Sequence, residues 1–359
     1  MISHVNSHFS LNLITSIILN YSKANFLLLL MHSFSSVVSG FLFDYRFKKS
    51  FKTGEIVLLS QLAAKLFLFC HENRFKGWAP FFFLTNIFPL ISFKLKRSFL
   101  VSTAAWTVFS FSISLNRELV LNLIKEILKE KRLIVYWSIL LVLIILLPLK
   151  FSKSRLFSSQ NSLRKFYHFA TVVLFIPAAF WSINVLRIAL AVAASLFLCI
   201  ETVRSDFKEE FKQNCHFQKF NEFMERCRND LDCGEMILSH FYLLIGCSLP
   251  FWLNPKMDIS CFSGIISLGI GDSLASIGGK SFGKTTWHSK TSKTLEGSLC
   301  GFIGMFTSWI LLNYICKSNL SVIKLFFISA SSAIFEALIT LNDNLTLPLL
   351  TFTLIKQAV

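Results

Sequence analysis

The sequence predicts an all-α fold, a polytopic bundle of about 10 to 13 transmembrane helices, and three observations carry that expectation. Of 359 residues, 53% are hydrophobic and only 16% are charged, against about 25% charged in a soluble domain. Phenylalanine alone supplies 40 residues, which suits a chain solvated by lipid. Several uncharged runs approach the roughly 20 residues needed to cross a hydrocarbon layer.

From the amino terminus, Phe26–Phe43, Glu55–Cys70, Trp78–Phe93 and Phe99–Leu115 are the weaker candidates for spans. They lie in a region, residues 1–132, that carries no chemical motif and reads as a scaffold or lipid-binding region. Residues 1–22 show neither a positive n-region nor a small-residue cleavage pattern, so the first span is expected to serve as its own targeting signal. Residues 133–359 form a second region. Its clearest spans are Leu133–Leu149, Phe166–Leu186, Met236–Leu253 and Ser298–Cys316. Val185–Ile200, Ile259–Ile277 and Val322–Leu341 are weaker, and Leu345–Ile355 is too short to cross alone. The nine Cys are scattered without a C-x-x-C pair, which suggests neither a disulfide framework nor a zinc site.

The formal charge is +16, and its distribution decides what it means. With every span accepted, Arg46–Lys52, Lys94–Arg97, Lys150–Lys165, Arg204–Arg228 and Lys280–Lys293 fall on one side of the bilayer. That side carries more than twice the Lys and Arg of the other, and the positive-inside rule places it in the cytoplasm. The hydrophilic stretches Glu201–Glu235, Gly278–Gly297 and Asn342–Asn344 share this face, and nothing in the pattern calls for a nucleic acid partner. Oligomeric state leaves no mark in the sequence.

Asp272 sits inside an apolar run, in GIGDSLASIGG. An ionisable residue at membrane depth is a functional candidate by default. The plainer alternative is a packing segment in which Asp272 caps a broken helix. The run continues as KSFGKTTWHSKTSKTLEG, where Gly278, Gly279 and Gly283 can expose backbone N–H groups beside Lys280, Lys284, Lys290 and Lys293. Such a loop suits a polyphosphate, or else a basic surface that meets lipid headgroups. Gly278–Thr285 reads GGKSFGKT and formally matches a P-loop. A P-loop, however, leaves a buried strand inside an α/β domain, whereas this stretch leaves a membrane segment, so the match carries little weight.

Further charges fall at the same expected face. They are Arg164, Lys165 and His168 in RKFYHF, Glu201 and Arg204 in ETVRSD, Asp230 and Asp232 before a span, Glu336 inside the penultimate span, and Asp343 in NDNLTLPL. Each alone reads as a helix-end or snorkelling charge. Carboxylates beside a lysine-rich loop nonetheless supply what phosphoryl transfer needs: oxygen ligands for Mg²⁺, a base near the acceptor, and cations on the migrating charge. A transporter would use intramembrane acids and broken helices equally well, but there they sit at the midplane rather than at one face.

The runs GDSLASIGG, GKTTW and SKTLEGS resemble the nucleotide-binding signature of the dolichol kinases. RKFYHF, LDCGEMILSHFYLLIGCSLPFWL and EALITLNDNLTLPLL agree with that family in order and spacing, so the resemblance covers about Leu163 to Ile355. It implies a multi-pass enzyme of the endoplasmic reticulum that moves the γ-phosphate of CTP to the terminal hydroxyl of dolichol, a polyprenol lipid, with a divalent cation such as Mg²⁺. Carried over, the CTP loop is Gly271–Gly297. Asp272, Lys293 and Glu296 are then the catalytic candidates, with Asp272 also a metal ligand. Gly271, Ser273, Gly278, Gly279, Gly283, Lys284, Thr294 and Gly297 are the nucleotide-binding candidates. The base is left open among Asp272, Glu296, Asp343 and Asp232. After Trp287 the chain has HSKTSKT where the family has P-G-T-K-K-T, one residue more and His288 in place of Pro, so the pairing of Lys290 is open. A CTP-dependent kinase of diacylglycerol or phytol and a phosphatidate cytidylyltransferase are the competing enzymes.

Overall fold

The structure is a computed structural model that describes residues 125–150, 160–229, 232, 236–254, 256–288, 292–339 and 342–359. The four span candidates of the amino-terminal region lie outside the described residues. Among the described residues the regular structure is helical, with one isolated antiparallel bridge between Thr286 and Thr294 and no strand. In chain order the α-helices are α1 (Lys131–Lys150), α2 (Gln160–Trp181), α3 (Ile183–Asp206), α4 (Cys215–Arg226), α5 (Ser239–Leu253), α6 (Ser273–Phe282), α7 (Leu295–Cys316), α8 (Val322–Leu338) and α9 (Asp343–Ala358). A short 3₁₀ turn, Ile259–Phe262, and a π-helix, Ile265–Asp272, stand between α5 and α6. Within α1, α2, α3 and α7 lie segments long and apolar enough to cross a membrane.

The chain divides into two compact units, one including Ala191–Leu238 and the other Asn122–Leu190 with Ser239–Val359, so α3 contributes to both. In the first unit, the expected hydrophilic loop Glu201–Glu235 contains a helix of its own. α4 is capped by Asn214, whose side chain accepts from the N–H groups of His216 and Phe217, the usual way a short helix satisfies its open first turn. The expected span Met236–Leu253 becomes helical only at Ser239. The N–H of Ile237 is bonded to Glu201 and that of Leu238 to Asp232.

In the second unit, α1 leans on α2 through Tyr136 and Trp137, which donate to the carbonyls of Val173 and Leu174 at 2.6 and 3.0 Å. Most of the remaining α1 surface is apolar and exposed, as a helix facing lipid would be. The expected span Ile259–Ile277 is not one α-helix but three pieces of different pitch. Serine hydroxyls bond back to the chain here, Ser263 to the carbonyl of Ser260 and Ser267 to that of Ser263, which competes with regular helix geometry. Small residues let these pieces pack closely. A Cβ on Gly264 would lie 2.2 Å from the Gly246 carbonyl oxygen, and one on Gly246 would lie 2.0 Å from that of Asn344. Backbone therefore meets backbone where α5, the broken helix and α9 converge.

The far end of this unit is tied by a polar knot. Arg187 donates to the carbonyls of Phe251 and Asn254, and Lys356 at the end of α9 reaches Asp258 at 2.6 Å and Asn254 at 3.3 Å. Burial pushes the Asp258 carboxyl up, but the hydrogen bonds from Lys356, Ser260 and Asn254 outweigh it and hold the group below the usual carboxylate range.

Candidate active site

Asp272 closes the π-helix and leads directly into α6. Pitch changes of this kind recur at functional sites because they re-aim one side chain without ending the helix. Two glycines make room for it. A Cβ on Gly269 would lie 2.5 Å from Val172 on α2, and one on Gly271 would lie 2.7 Å from Met305 on α7. Asp272 is thereby buried between helices, and α2 supplies its partners. Lys165 and His168 are one turn apart on α2, and both reach the same oxygen, Oδ2, at 2.5 and 3.1 Å. His168 Nδ1 also lies 3.1 Å from the Leu268 carbonyl, which orients the ring. An acid buried in this way needs such partners, since an unpaired charge there would cost several kcal/mol.

The second half of the cluster comes from residues far along the chain. Between α6 and α7 the chain forms a narrow ribbon. The Thr286–Thr294 bridge is flanked by hydrogen bonds from Trp287 N to Lys293 O and from Leu295 N to Thr285 O. Thr294 caps α7 by accepting from Gly297 N at 3.1 Å, the Trp287 indole donates to Ser298 at 2.8 Å, and the Glu296 carboxylate accepts from Thr285 N at 3.2 Å. Held by this base, Lys293 extends to Glu336 near the end of α8, with Nζ 2.7 Å from Oε1 and 2.5 Å from the backbone carbonyl oxygen. Asp343, in the first turn of α9, is 3.5 Å from the same ammonium. Burial lowers the Lys293 pKa, but the charges of Glu336 and Asp343 more than reverse this and hold the ammonium above its ordinary value.

These two halves meet. One carboxylate oxygen from each of Asp272, Glu336 and Asp343 lies within 4.8 Å of the others. Three hard oxygen donors that close fit a divalent cation of the Mg²⁺ type, and the two ammonium groups beside them suit a polyanion.

The remaining candidates lie elsewhere. Arg164 is half-buried on α2. Glu201 and Arg204 belong to the first unit, where they form a buried two-pronged ion pair at 2.7 and 2.6 Å, with Arg204 also donating to Asn221. Asp232, in the same unit, accepts from the N–H groups of Asn229 and Leu238. Asp230 and Lys290 are outside the described residues. Ser273 is buried and donates to the Leu268 carbonyl, while Lys284 is exposed on the ribbon. Gly278, Gly279, Gly283 and Gly297 line the crossing of α6 and α7. A Cβ on Gly278 would lie 2.4 Å from Cys300 Sγ, and one on Gly297 would lie 2.6 Å from the Ala275 carbonyl. The N–H of Gly283 is already bonded to Gly279 O and that of Gly297 to Thr294.

Sequence reasoning passed over Asn161, which ties α2 to α6 through Ser276 at 2.9 Å, and Asn342, which caps α9 and so sets the position of Asp343. The capping signal of Asn342 is legible in NDNLTLPL, an Asn just before an apolar helix. Nothing local marks Asn161.

Three curated proteins place this geometry in a chemical context. A dolichol kinase of Arabidopsis thaliana is 30% identical over 245 residues, covering 64% of this chain and 41% of its own length. A dolichol kinase of Schizosaccharomyces pombe is 33% identical over 234 residues, covering 61% of this chain and 45% of its own. The Homo sapiens dolichol kinase is 29% identical over 243 residues, covering 60% and 43%. This chain is a relative of the dolichol kinases. It spans a little under half the length of the curated dolichol kinases it matches. No family model matches the chain, and no solved structure matches it. Three carboxylates flanked by two lysines are groups that phosphoryl transfer in general can use, because that chemistry is catalysed by positioning and charge rather than by a covalent partner.

Proposed function

We propose that this chain is a dolichol kinase that transfers the γ-phosphate of CTP to the terminal hydroxyl of dolichol. The observation that carries the proposal is the convergence of Asp272, Glu336 and Asp343 with Lys165 and Lys293, in a chain whose curated relatives are named dolichol kinases. The kinase core is residues 133–359, with the nucleotide loop at 271–297, and residues 1–132 serve as a scaffold for the lipid. With the amino-terminal spans included, the bundle has about 10 to 13 membrane helices. It lies in the endoplasmic reticulum membrane with the loop facing the cytoplasm.

In this reading Asp272, Glu336 and Asp343 hold a divalent cation, Mg²⁺ by the hardness of its ligands. Once bound, the cation neutralises and aligns the triphosphate. Lys293 and Lys284 offset charge on the γ-phosphoryl group, and Glu296 keeps the ribbon base in place by accepting from Thr285 N. Lys165 and His168 fix the Asp272 carboxylate, leaving its other oxygen for the site. The polyprenol tail remains in lipid while its hydroxyl reaches the cluster. A carboxylate takes the hydroxyl proton, the alcohol oxygen bonds to the γ-phosphorus, and the bond from that phosphorus to the β–γ bridging oxygen breaks, so that CDP leaves.

The test is phosphate transfer from γ-labelled CTP to dolichol in membranes from expressing cells. Asp272→Asn and Lys293→Ala are each expected to lower the rate about 100-fold or more. Wild-type activity in both variants would overturn the site assignment. A cytidylyltransferase would release pyrophosphate where the proposed reaction releases CDP.

A further inference from the structure

We infer that Lys293 is a displaceable counter-ion: it holds Glu336 and Asp343 when the divalent cation is away, and passes to the nucleotide phosphates when that cation binds. The inference rests on the proposed reading of Asp272, Glu336 and Asp343 as the cation ligands, and it assigns Lys293 a second role in that site.

The geometry supports competition rather than coexistence. The Lys293 ammonium lies 2.7 Å from one Glu336 oxygen and 3.5 Å from one Asp343 oxygen, so it already engages two of the three acids. A Mg²⁺-sized cation sits about 2.1 Å from each ligand oxygen. An ammonium and a dication sharing those carboxylates would approach each other closely in a partly buried site, where like charges repel strongly. One of them has to move.

Lys293 is built to be the one that moves, and Lys165 is not. Lys165 projects from the packed helix α2 and is almost wholly buried, with its 2.5 Å contact to Asp272. The Lys293 side chain keeps 29% of its surface exposed and comes from the ribbon. The ribbon itself is pinned by other contacts, from Trp287 to Ser298 and from Thr285 to Glu296. The ammonium can therefore swing on its methylene stem while the ribbon stays put.

Charge points the same way. Three carboxylates and two ammonium groups leave the cluster one negative charge, which welcomes a dication and disfavours a triphosphate. With the dication bound and Lys293 freed, the balance becomes positive and the triphosphate is favoured. Cation and nucleotide then bind with positive coupling through one side chain.

The consequence is a change of opposite sign in two affinities. Using the full-length chain in detergent with Mn²⁺ as the probe and the electron paramagnetic resonance signal of free Mn²⁺ as the readout, Lys293→Met is expected to bind Mn²⁺ about tenfold more tightly than wild type without nucleotide. The Mn²⁺-loaded variant is expected to bind CTP about tenfold more weakly than Mn²⁺-loaded wild type. Lys293→Gln, which keeps a donor for the Glu336 carbonyl, shifts both affinities in the same directions. Lys293→Arg keeps the charge and stays close to wild type for Mn²⁺. Lys317→Met removes an exposed charge at the opposite end of α7 from the ribbon and leaves Mn²⁺ affinity near wild type. Nucleotide-free Mn²⁺ binding that is unchanged or weaker in both Lys293→Met and Lys293→Gln would overturn the inference while leaving the cation site standing, as would equal tightening by Lys317→Met. Absence of Mn²⁺ binding in every form, wild type included, would overturn both.

Discussion

Asp272 shows how one residue can be costly and well placed at once. It is a buried acid in an apolar run, and Lys165, His168 and a change of helical pitch hold it in place. Glu336 and Asp343 share that setting, whereas Glu296 spends its carboxylate on Thr285 N. The two kinds of acid should therefore differ in kinetics. Glu336→Gln is expected to lower phosphotransfer about 100-fold and to raise the Mg²⁺ concentration needed for half-maximal rate. Glu296→Gln is expected to cost about tenfold or less with little change in Mg²⁺ requirement. Measured Mg²⁺ titrations that rank the two variants the other way would move the cation site toward the ribbon. Asp272 was legible in the sequence because a charge in an apolar stretch is conspicuous. The sequence places Glu336 and Asp343 at the same expected face as Asp272, but that one oxygen of each lies within 4.8 Å of the others depends on tertiary packing that no local pattern encodes.

At the scale of elements, the crossing of α6 and α7 governs where the ribbon and Lys293 begin. Gly278 faces Cys300 and Gly297 faces the Ala275 carbonyl, so added methyl groups collide with a side chain in one case and with backbone in the other. Gly297→Ala is expected to destabilise the protein by about 1–3 kcal/mol. Gly278→Ala should be partly rescued by Cys300→Gly, because the obstructing atoms, Cys300 Sγ at 2.4 Å and Cβ at 2.6 Å, are both removed by that change. Thermal unfolding of the four variants in detergent, including the double variant, reads this out. An equal loss with and without Cys300→Gly would contradict the packing account. The sequence offers Gly278 as an exposed N–H donor, and the family resemblance offers Gly297 as a nucleotide-binding residue. A Gly-rich phosphate loop and a close helix crossing share the same composition, so the packing of Gly278 and Gly297 at the α6–α7 crossing is not legible in the sequence. The broken stretch Ile259–Ile277 likewise reads as one span in the sequence. Hydrophobicity gives the length of an apolar run but not its pitch, which here passes from a 3₁₀ turn through a π-helix to an α-helix.

Across the second unit, the acid and lysine cluster and the knot of Arg187, Asn254, Asp258 and Lys356 are separate polar groups, and the knot carries its own pH signature. The Asp258 pKa is held below its usual value by its hydrogen bonds. A depressed carboxylate stabilises the fold above the unfolded pKa of about 3.9, and that contribution is lost as pH falls through the lower folded value. Asp258→Asn should therefore unfold more easily than wild type at pH 7, and the difference should narrow below about pH 4. A gap that widens in acid would show that the Lys356 contact does not act through charge. The orientation proposed for the chain also has a chemical marker. Asn344 belongs to the sequon Asn344–Thr346, yet it is buried and its amide donates to the Ser239 carbonyl. Peptide mapping is expected to find Asn344 unmodified, and a glycan there would reverse the proposed topology.

The central claim is the reaction itself, and reconstitution tests it most directly. The purified chain in liposomes containing dolichol, supplied with γ-labelled CTP and Mg²⁺, should yield labelled dolichyl phosphate and CDP in equal amounts. Unlabelled lipid, or pyrophosphate in place of CDP, would contradict the account.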